Sequence, residues 1–541
     1  MWFLTVFPVL LLAIHLPNIK SEWHGDAGPW VIATEGEVWP RPARNWTFDE
    51  FYLLRYSNFQ ILYDGYCDIT LRAIHRYTHI IFAHTRSARK VNKNKPKKNF
   101  SNDPAFKGFI KTLNIEGPTS DCKDLLPTLY ADEHYVLNIN RTGDEATLSS
   151  ETTWGILRGL ETFSQLLTPS GSGAYLKIRR QVIIDGPRLP HRGLLLDTSR
   201  HYLPLADIRL TLDAMSYNKL NVLHWHIVDD NSFPYQSETY PNLSKEGAYH
   251  SSMVYSIANI NDIIQYARLR GIWVIPEFDT PGHTRSWGNA YPELLTTCYN
   301  STGQPNGRLG PIDPTKDSVY SFISTLFTEV VQVFPGSYLH LGGDEVPFSC
   351  WASNPDIIKY MDSQKLGRNF AKLEEQYIHK VLDIVSALNT TAIVWQEVFD
   401  NGVSLPNSTI VHVWTGSWKT ELSKITAAGH PVLLSACWYL DHTAEGGDWK
   451  KFYVCDPMDF PGFNTSRLML GGEACMWGEF VDKNNIHPRI WPRASAAAER
   501  LWSEFADDLD TAARRLEEHA CRMNRRGIPA QPPNGSGFCV V

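Results

Sequence analysis

The order of hydrophobic and polar positions divides the chain into two regions. Between residues 22 and 187, short apolar runs alternate with turns. Residues 58–62 and 128–139 read as strands, and residues 153–167 carry helical spacing. A lysine-rich stretch at 90–98 reads as a solvated loop. These elements predict a smaller α+β domain over residues 22–187.

From residue 188 to 541 the pattern changes. Eight β-rich apolar runs each end in polar or aromatic residues. They are 192–200 (RGLLLDTSR), 220–230 (LNVLHWHIVDD), 271–283 (GIWVIPEFDTPGH) and 338–346 (YLHLGGDEV), followed by 392–398 (AIVWQEV), 409–414 (TIVHVW), 431–441 (PVLLSACWYLD) and 468–479 (LMLGGEACMWGE). Nearly unbroken runs suit strands buried on both faces. Helical patterns at 208–217, 262–269, 319–334 and 370–388 separate several of them. Eight strands alternating with helices predict a (β/α)8 TIM barrel, whose site collects at the C-terminal strand ends. An open doubly wound sheet is the alternative, but no GxGxxG follows the first strand.

The first 21 residues read as a signal peptide. Residues 1–16 are almost wholly apolar, too short to span a bilayer and the size of an h-region, although no positive n-region precedes them. No later stretch predicts membrane insertion. Nine Asn-x-Ser/Thr sequons occur, at Asn45, Asn99, Asn140, Asn242, Asn300, Asn389, Asn407, Asn464 and Asn534. The nine cysteines contain no CxxC pair, which favours disulfides over zinc and leaves one thiol over. Cys475 lies in an apolar run and is expected to be that free, buried thiol. Sequons and cysteines together point to the secretory route.

Composition narrows the function. At 43% hydrophobic and 20% charged the chain is globular. A net charge of -7 leaves no broad basic surface, so nucleic acid is not an expected partner. The 18 Trp are flat apolar faces on which a sugar ring stacks.

The run ends carry the candidate chemistry: Arg200, Asp229, Asp230, Glu277, Asp279, His283, Asp344, Glu345, Trp395, Glu397, Trp414, Tyr439, Asp441, Trp477 and Glu479. Carboxylates with aromatic walls and no GxSxG elbow fit a glycosidase. The same residue types could bind a metal, but neither HExxH nor a calcium-loop spacing is present, and no metal or cofactor is expected. The central feature is Gly342-Gly343-Asp344-Glu345. A retaining glycosidase ordinarily sets its acid and nucleophile about 5 Å apart across the scissile bond. Neighbouring residues on one segment do not easily flank a sugar in that way. The economical solution is a nucleophile supplied by the substrate, a 2-acetamido carbonyl oxygen. Glu345 then protonates the leaving oxygen, while Asp344 holds the acetamido N–H and steadies the oxazolinium.

The chain resembles glycoside hydrolase family 20, and within it the animal lysosomal-type β-N-acetylhexosaminidases, from about residue 30 to 539. The motifs that carry the likeness are 191–204 (HRGLLLDTSRHYLP), 218–230 (NKLNVLHWHIVDD), 277–283 (EFDTPGH), 340–346 (HLGGDEV), 395–401 (WQEVFDN) and 471–479 (GGEACMWGE). The resemblance implies a small α+β domain before a (β/α)8 barrel, and removal of terminal β-linked GlcNAc or GalNAc from glycoconjugates or chitooligosaccharides. It implies Glu345 as acid/base, Asp344 as the acetamido-orienting carboxylate and Tyr439 as the hydroxyl that holds the acetamido oxygen. It further implies Arg200 and Glu479 on the sugar's O3 and O4, and Trp395, Trp414 and Trp477 as the box. Asp229 and His283, with Asp279, are implied to tune the acid. Glu345 is expected to be buried beside Asp344, which would raise its pKa.

Other features follow from the same likeness. Disulfides Cys67–Cys122, Cys298–Cys350 and Cys521–Cys539 are implied. Cys437 and Cys455 depart from the mammalian pattern and are candidates for a fourth. Asp441-His442 stands where the mammalian-type subunits differ. Asp441 is expected to accept from O6 and repel a 6-sulfate, which predicts neutral substrates. His442, cationic in an acidic compartment, works the other way. A homodimer and delivery to the lysosome are expectations of the resemblance, with secretion as the alternative destination. A catalytically silent sugar-binding protein would ordinarily lack the acid.

Overall fold

The structure, a computed structural model, describes residues 28–91, 100–139, 144–170, 175–442, 446–462 and 467–539. The predicted signal peptide, most of the lysine-rich stretch and the sequons at Asn99, Asn140 and Asn464 lie outside the described residues. Among the described residues no helix is long and apolar enough to cross a membrane.

The N-terminal region is built on one mixed sheet. Its strands lie in the order Gln60–Tyr63, Thr112–Glu116, Glu145–Ser149, Tyr135–Ile139, Tyr175–Asp185, Arg44–Leu54 and Phe106–Ile110, with Thr168–Ser170 paired beside Tyr175–Asp185. The helices Asp68–Val91 and Thr153–Gln165 pack together and against these strands. Thr152 starts the second helix by accepting the Gly155 N–H on its side chain. The strand expected over 128–139 shrinks to Tyr135–Ile139. Leu129 is instead drawn under the barrel, into the apolar cluster of Val222, Ile275 and Ile393. Glu133 turns inward to ion-pair with Arg158 and Arg192, each at 2.6 Å.

The rest of the chain closes into a parallel eight-stranded barrel. Its strands are β1 (His191–Asp197), β2 (Val222–His226), β3 (Trp273–Glu277), β4 (Tyr338–His340), β5 (Thr391–Trp395), β6 (Ile410–Val413), β7 (Val432–Leu434) and β8 (Met469–Met476), with β8 pairing back onto β1. The four predicted helices appear as Leu205–Tyr217, Ile257–Arg268, Asp317–Val333 and Phe370–Ala387. The strands are shorter than the apolar runs because the last residues of each run leave the barrel as loops. β4 is only three residues long, since the two glycines that follow His340 abandon strand geometry.

The barrel interior is layered. Val222, Ile275, Ile393, Ile410 and Leu433 fill the end where the strands begin. A charged layer follows, in which Glu473 pairs with His191 at 2.6 Å and His224 at 2.7 Å. Leu195, Trp395 and Cys475 form the next layer, with Trp414, Tyr439 and Trp477 packed on it. The Glu133 ion pairs and the buried Lys219–Asp185 pair, at 2.8 Å, tie the barrel to the N-terminal sheet. Removing one partner of such a pair strands a buried charge at a cost of about 3–5 kcal/mol.

Candidate active site

Tight backbone geometry delivers the acid pair at the end of β4. Gly342 and Gly343 have φ of +68° and +97°. A Cβ on Gly342 would lie 1.7 Å from Oδ1 of Asp279, so only glycine fits there. The same Asp279 oxygen accepts the Gly343 N–H at 2.8 Å. Glu345 also adopts a left-handed conformation, φ +49°, which in a non-glycine residue costs of order 1 kcal/mol.

The two acids end up in different surroundings. Asp344 is 14% exposed, and its Oδ1 is buried without a hydrogen-bond partner. Glu345 is 62% exposed. The expected burial of Glu345 is therefore not found: its left-handed backbone swings the side chain to the rim while Asp344 points inward. His283 bridges them, with Nε2 3.7 Å from each carboxylate and 4.0 Å from Asp279. Burial and the adjacent Asp344 push the Asp279 carboxyl well above its usual range.

Behind His283 runs a chain of alternating charges. Glu277 Oε2 meets His226 Nδ1 at 2.6 Å, His226 Nε2 meets Asp229 Oδ2 at 2.8 Å, and Asp229 Oδ1 meets His283 Nδ1 at 3.2 Å. Burial disfavours the imidazolium of His283, but Asp279, Asp229 and Asp344 outweigh it and push the ring up to about 11. His226 likewise rises to about 10, since Glu277 and Asp229 overcome its burial. Despite its own burial, Asp229 is held well below the carboxylate range by His226, His283 and Arg200.

The aromatic residues assemble as one wall. The Trp395 indole donates to Glu277 Oε1 at 2.8 Å and stacks on His412 at 4.4 Å between centroids. Trp477 lies 6.0 Å from Trp395, and Trp414 stacks on Tyr439 at 6.1 Å. Burial pushes the Tyr439 hydroxyl well above 10, so it remains a donor. Glu397 accepts the Trp414 indole N–H on both oxygens, at 2.8 and 3.0 Å. Burial drives Glu397 up to about 7 against the pull of Trp414, and Asp344 adds to the rise.

Arg200 organises the opposite side. Its guanidinium lies 2.9 Å from Asp229, 3.2 Å from Asp197 and 3.9 Å from Glu479, over the Trp477 ring. Asp441 is half-buried, and its Oδ1 has no hydrogen-bond partner. Asp344 Oδ1 and Asp441 Oδ1 are thus both buried carboxylate oxygens without a hydrogen-bond partner, and His283 Nε2 is likewise without one. Of the candidate site residues, the structure links Asp279, Asp344, Glu345, Asp229, Arg200 and Glu479 through contacts around His283 and Arg200, pairs Trp395 with Trp477, and joins Trp414 to Tyr439 and Glu397.

Two contributors escaped the sequence reading. Asp197 accepts from Ser199, Arg200 and the Gly478 N–H, joining the loops after β1 and β8. His226 is the middle of the charge chain. Strand alternation in His224-Trp225-His226 was the available signal, since it points both histidines into the barrel.

Metal binding finds little support in the local chemistry. Asp279, His283 and Asp344 cluster, as do His224, His340 and His412. However, the imidazolium of His283 has no lone pair to offer, and both nitrogens of His224 face carboxylates, at 2.7 and 2.9 Å.

The four disulfides are Cys67–Cys122, Cys298–Cys350, Cys437–Cys455 and Cys521–Cys539, and Cys475 is free and buried.

Comparison with known proteins agrees with this geometry. Residues 189–505 match the model of the glycosyl hydrolase family 20 catalytic domain, and residues 38–166 match a beta-acetyl hexosaminidase like domain. The chain is 47% identical to the beta-hexosaminidase subunit beta of Felis catus, over 94% of each chain. It is 46% identical to the subunit alpha of Bos taurus, over 93% of this chain and 94% of that one. Among solved structures, a chitobiase of Flavobacterium johnsoniae superposes with a TM-score of 0.72 at 28% identity, covering 91% of this chain and 73% of that one. An acid pair of this geometry on a barrel of this likeness has one explanation by descent: the chain belongs to glycosyl hydrolase family 20.

Proposed function

We propose that the protein is a β-N-acetylhexosaminidase, a retaining glycoside hydrolase that removes terminal β-linked GlcNAc or GalNAc with the substrate's acetamido group as nucleophile. The observation that carries this reading is Asp344 Oδ1, a buried carboxylate oxygen without a partner, beside an exposed Glu345. Two acids adjacent in the chain and divergent in burial do not easily flank a glycosidic bond as acid and nucleophile. They can divide the work otherwise. Glu345, at the rim, protonates the leaving oxygen. Asp344 accepts the acetamido N–H and offsets the oxazolinium charge. The Tyr439 hydroxyl donates to the acetamido oxygen and aligns it on C1. Glu345 then takes a proton from water as the oxazolinium opens.

The remaining residues bind the sugar. Trp395, Trp414 and Trp477 enclose the acetamido methyl and the ring's apolar face, while Arg200 and Glu479 take O3 and O4, and Asp441 takes O6. Four disulfides fit a chain that travels the secretory route. The lysosome as destination and a homodimer as assembly are inferred from the animal relatives.

Hydrolysis of a nitrophenyl β-N-acetylglucosaminide beside the plain β-glucoside tests the reading. Only the acetamido sugar should turn over, and equal rates would remove the substrate nucleophile. Loss of a general acid costs about 10²–10⁴-fold. Glu345→Gln should therefore approach that loss on chitobiose and lose less on the nitrophenyl glycoside, whose leaving group needs little protonation.

A further inference from the structure

The three tryptophans assigned to the acetamido box are held in different ways. Trp395 is buried, and its indole is fixed on Glu277. Trp477 stands between the His226 ring, at 4.9 Å, and the Arg200 guanidinium, at 5.1 Å. Trp414 is half-buried and opens an exposed loop, residues 415–417, in which Gly416 has φ of +71°. Burial alone does not fix this indole. Yet it stands against the Tyr439 ring, where the proposed reaction seats the acetamido group.

One short helix supplies the missing restraint. Gln396–Asp400 follows β5 directly, and β5 pairs with β6, so the first side chains of the helix emerge beside the end of β6. Gln396 Oε1 accepts the Trp414 N–H at 3.0 Å and the Thr415 N–H at 3.1 Å. Glu397 accepts the indole N–H of the same tryptophan on both oxygens. Two neighbouring side chains thus grip the backbone and the ring of one residue. The grip is braced in turn. Asn401 closes the helix by donating its N–H to Glu397 O, and its side chain donates to Glu374 Oε2, both at 2.8 Å. Val398 of the same helix presses on Gly343, where a Cβ would lie 2.4 Å from Val398 Cγ2. The helix therefore packs on the segment that carries Asp344 and Glu345 as well as on the pocket wall.

We infer that Glu397, seated by Gln396, is a positioning residue that fixes the Trp414 indole and thereby sets the length of N-acyl group the pocket accepts. The inference rests on the hydrolysis proposed above, in which Trp414 walls the acetamido methyl. Glu397 acts through Trp414 and not on the reacting atoms. A hydrogen bond sets direction as well as distance, so it orients the indole plane. Without it, the half-buried ring is free to turn toward the exposed loop, and the box opens on that side.

The experiment measures kcat/KM on the nitrophenyl β-glycosides of N-acetyl-, N-propanoyl- and N-butanoylglucosamine. An apolar pocket discriminates one methylene by about tenfold or more, so the wild type should fall by about that factor at each step. Glu397→Ala should raise the propanoyl-to-acetyl ratio about tenfold, by giving up that discrimination. Glu397→Gln, whose amide oxygen still accepts the N–H, should stay closer to the wild type. Gln396→Ala frees only the backbone and should raise the ratio less; it carries the test if Glu397→Ala does not fold. In a Trp414→Phe background, which has no indole N–H, Glu397→Ala should leave the ratio unmoved. A part in folding alone would lower all three substrates by one factor. That result, a ratio moved by neither alanine variant, or an equal effect of Glu397→Ala with and without the indole overturns the inference. The plain β-glucoside separates the two proposals: its cleavage at the rate of the acetyl substrate sinks the substrate nucleophile, whereas acetamido-dependent turnover with an unmoved ratio sinks the positioning role alone.

Discussion

Asp229 and His283 meet at 3.2 Å, and the other oxygen of the same carboxylate holds Arg200 at 2.9 Å. One buried anion therefore positions both the ring that faces the acid pair and Arg200, the arginine proposed to bind the sugar. Asp229→Asn should raise KM and lower kcat together, with kcat/KM down about 10²-fold, because an uncompensated buried charge costs about 3–5 kcal/mol. Steady-state kinetics that change only one of the two constants would separate the roles that the structure joins.

Acid should stabilise the fold. His224, His226 and His283 sit at about 9, 10 and 11 in the folded chain, against about 6.5 unfolded. Their stabilisation is complete below pH 6.5 and is lost as pH rises through those folded values. Glu374 and Glu397, both at about 7 when folded, also favour the protonated fold, and that contribution fades from about pH 4.5 to 7. Asp229, Glu277 and Glu473 are depressed and stay ionised in mild acid. Calorimetry should give a higher Tm at pH 5 than at pH 8. Glu374→Gln should flatten the lower part of the slope, and a Tm that climbs with pH would contradict the network.

The Cys437–Cys455 bridge closes a segment of 18 residues that contains Tyr439 and Asp441. Loop-entropy arguments put such a closure near 3 kcal/mol. Replacing both cysteines with serine should lower Tm by several degrees and reduce kcat/KM, through looser placement of the Tyr439 hydroxyl. Unchanged activity in a destabilised variant would assign the bridge to stability alone.

Asp441 should exclude a 6-sulfate from the terminal sugar. Its Oδ1 is buried and unpartnered, and burial pushes its carboxyl up. Neutral substrate should exceed its 6-sulfated analogue by about tenfold at neutral pH, the gap narrowing in acid as Asp441 protonates. Asp441→Asn should narrow it at every pH. Kinetics that favour the sulfated sugar would refute the assignment.

Glycan occupancy should follow exposure. Asn45, Asn242, Asn300, Asn389 and Asn407 are exposed. The Asn534 amide instead donates to Ala513 O and Glu517 Oε2, each at 2.9 Å. Glycopeptide mapping should find sugar on the first five and none on Asn534, and an occupied Asn534 would require that corner to refold.

Much of the architecture was legible along the chain because barrel strands are buried on both faces and announce themselves as unbroken apolar runs. The Gly342-Gly343-Asp344-Glu345 segment was equally plain, since its chemistry is local. What the sequence determined by itself was the barrel, its eight strand ends and the residue types gathered there. Burial, pairing and protonation were decided by tertiary structure. Periodicity could not show Glu345 standing at the rim, because that depends on its left-handed backbone and on Asp279 pressing against Gly342. Nor could it show the chain from Glu277 through His226 and Asp229 to His283, whose members lie on loops and strands that meet only when the barrel closes. Charge interactions depend on distance and on the removal of water, and both are properties of the closed fold.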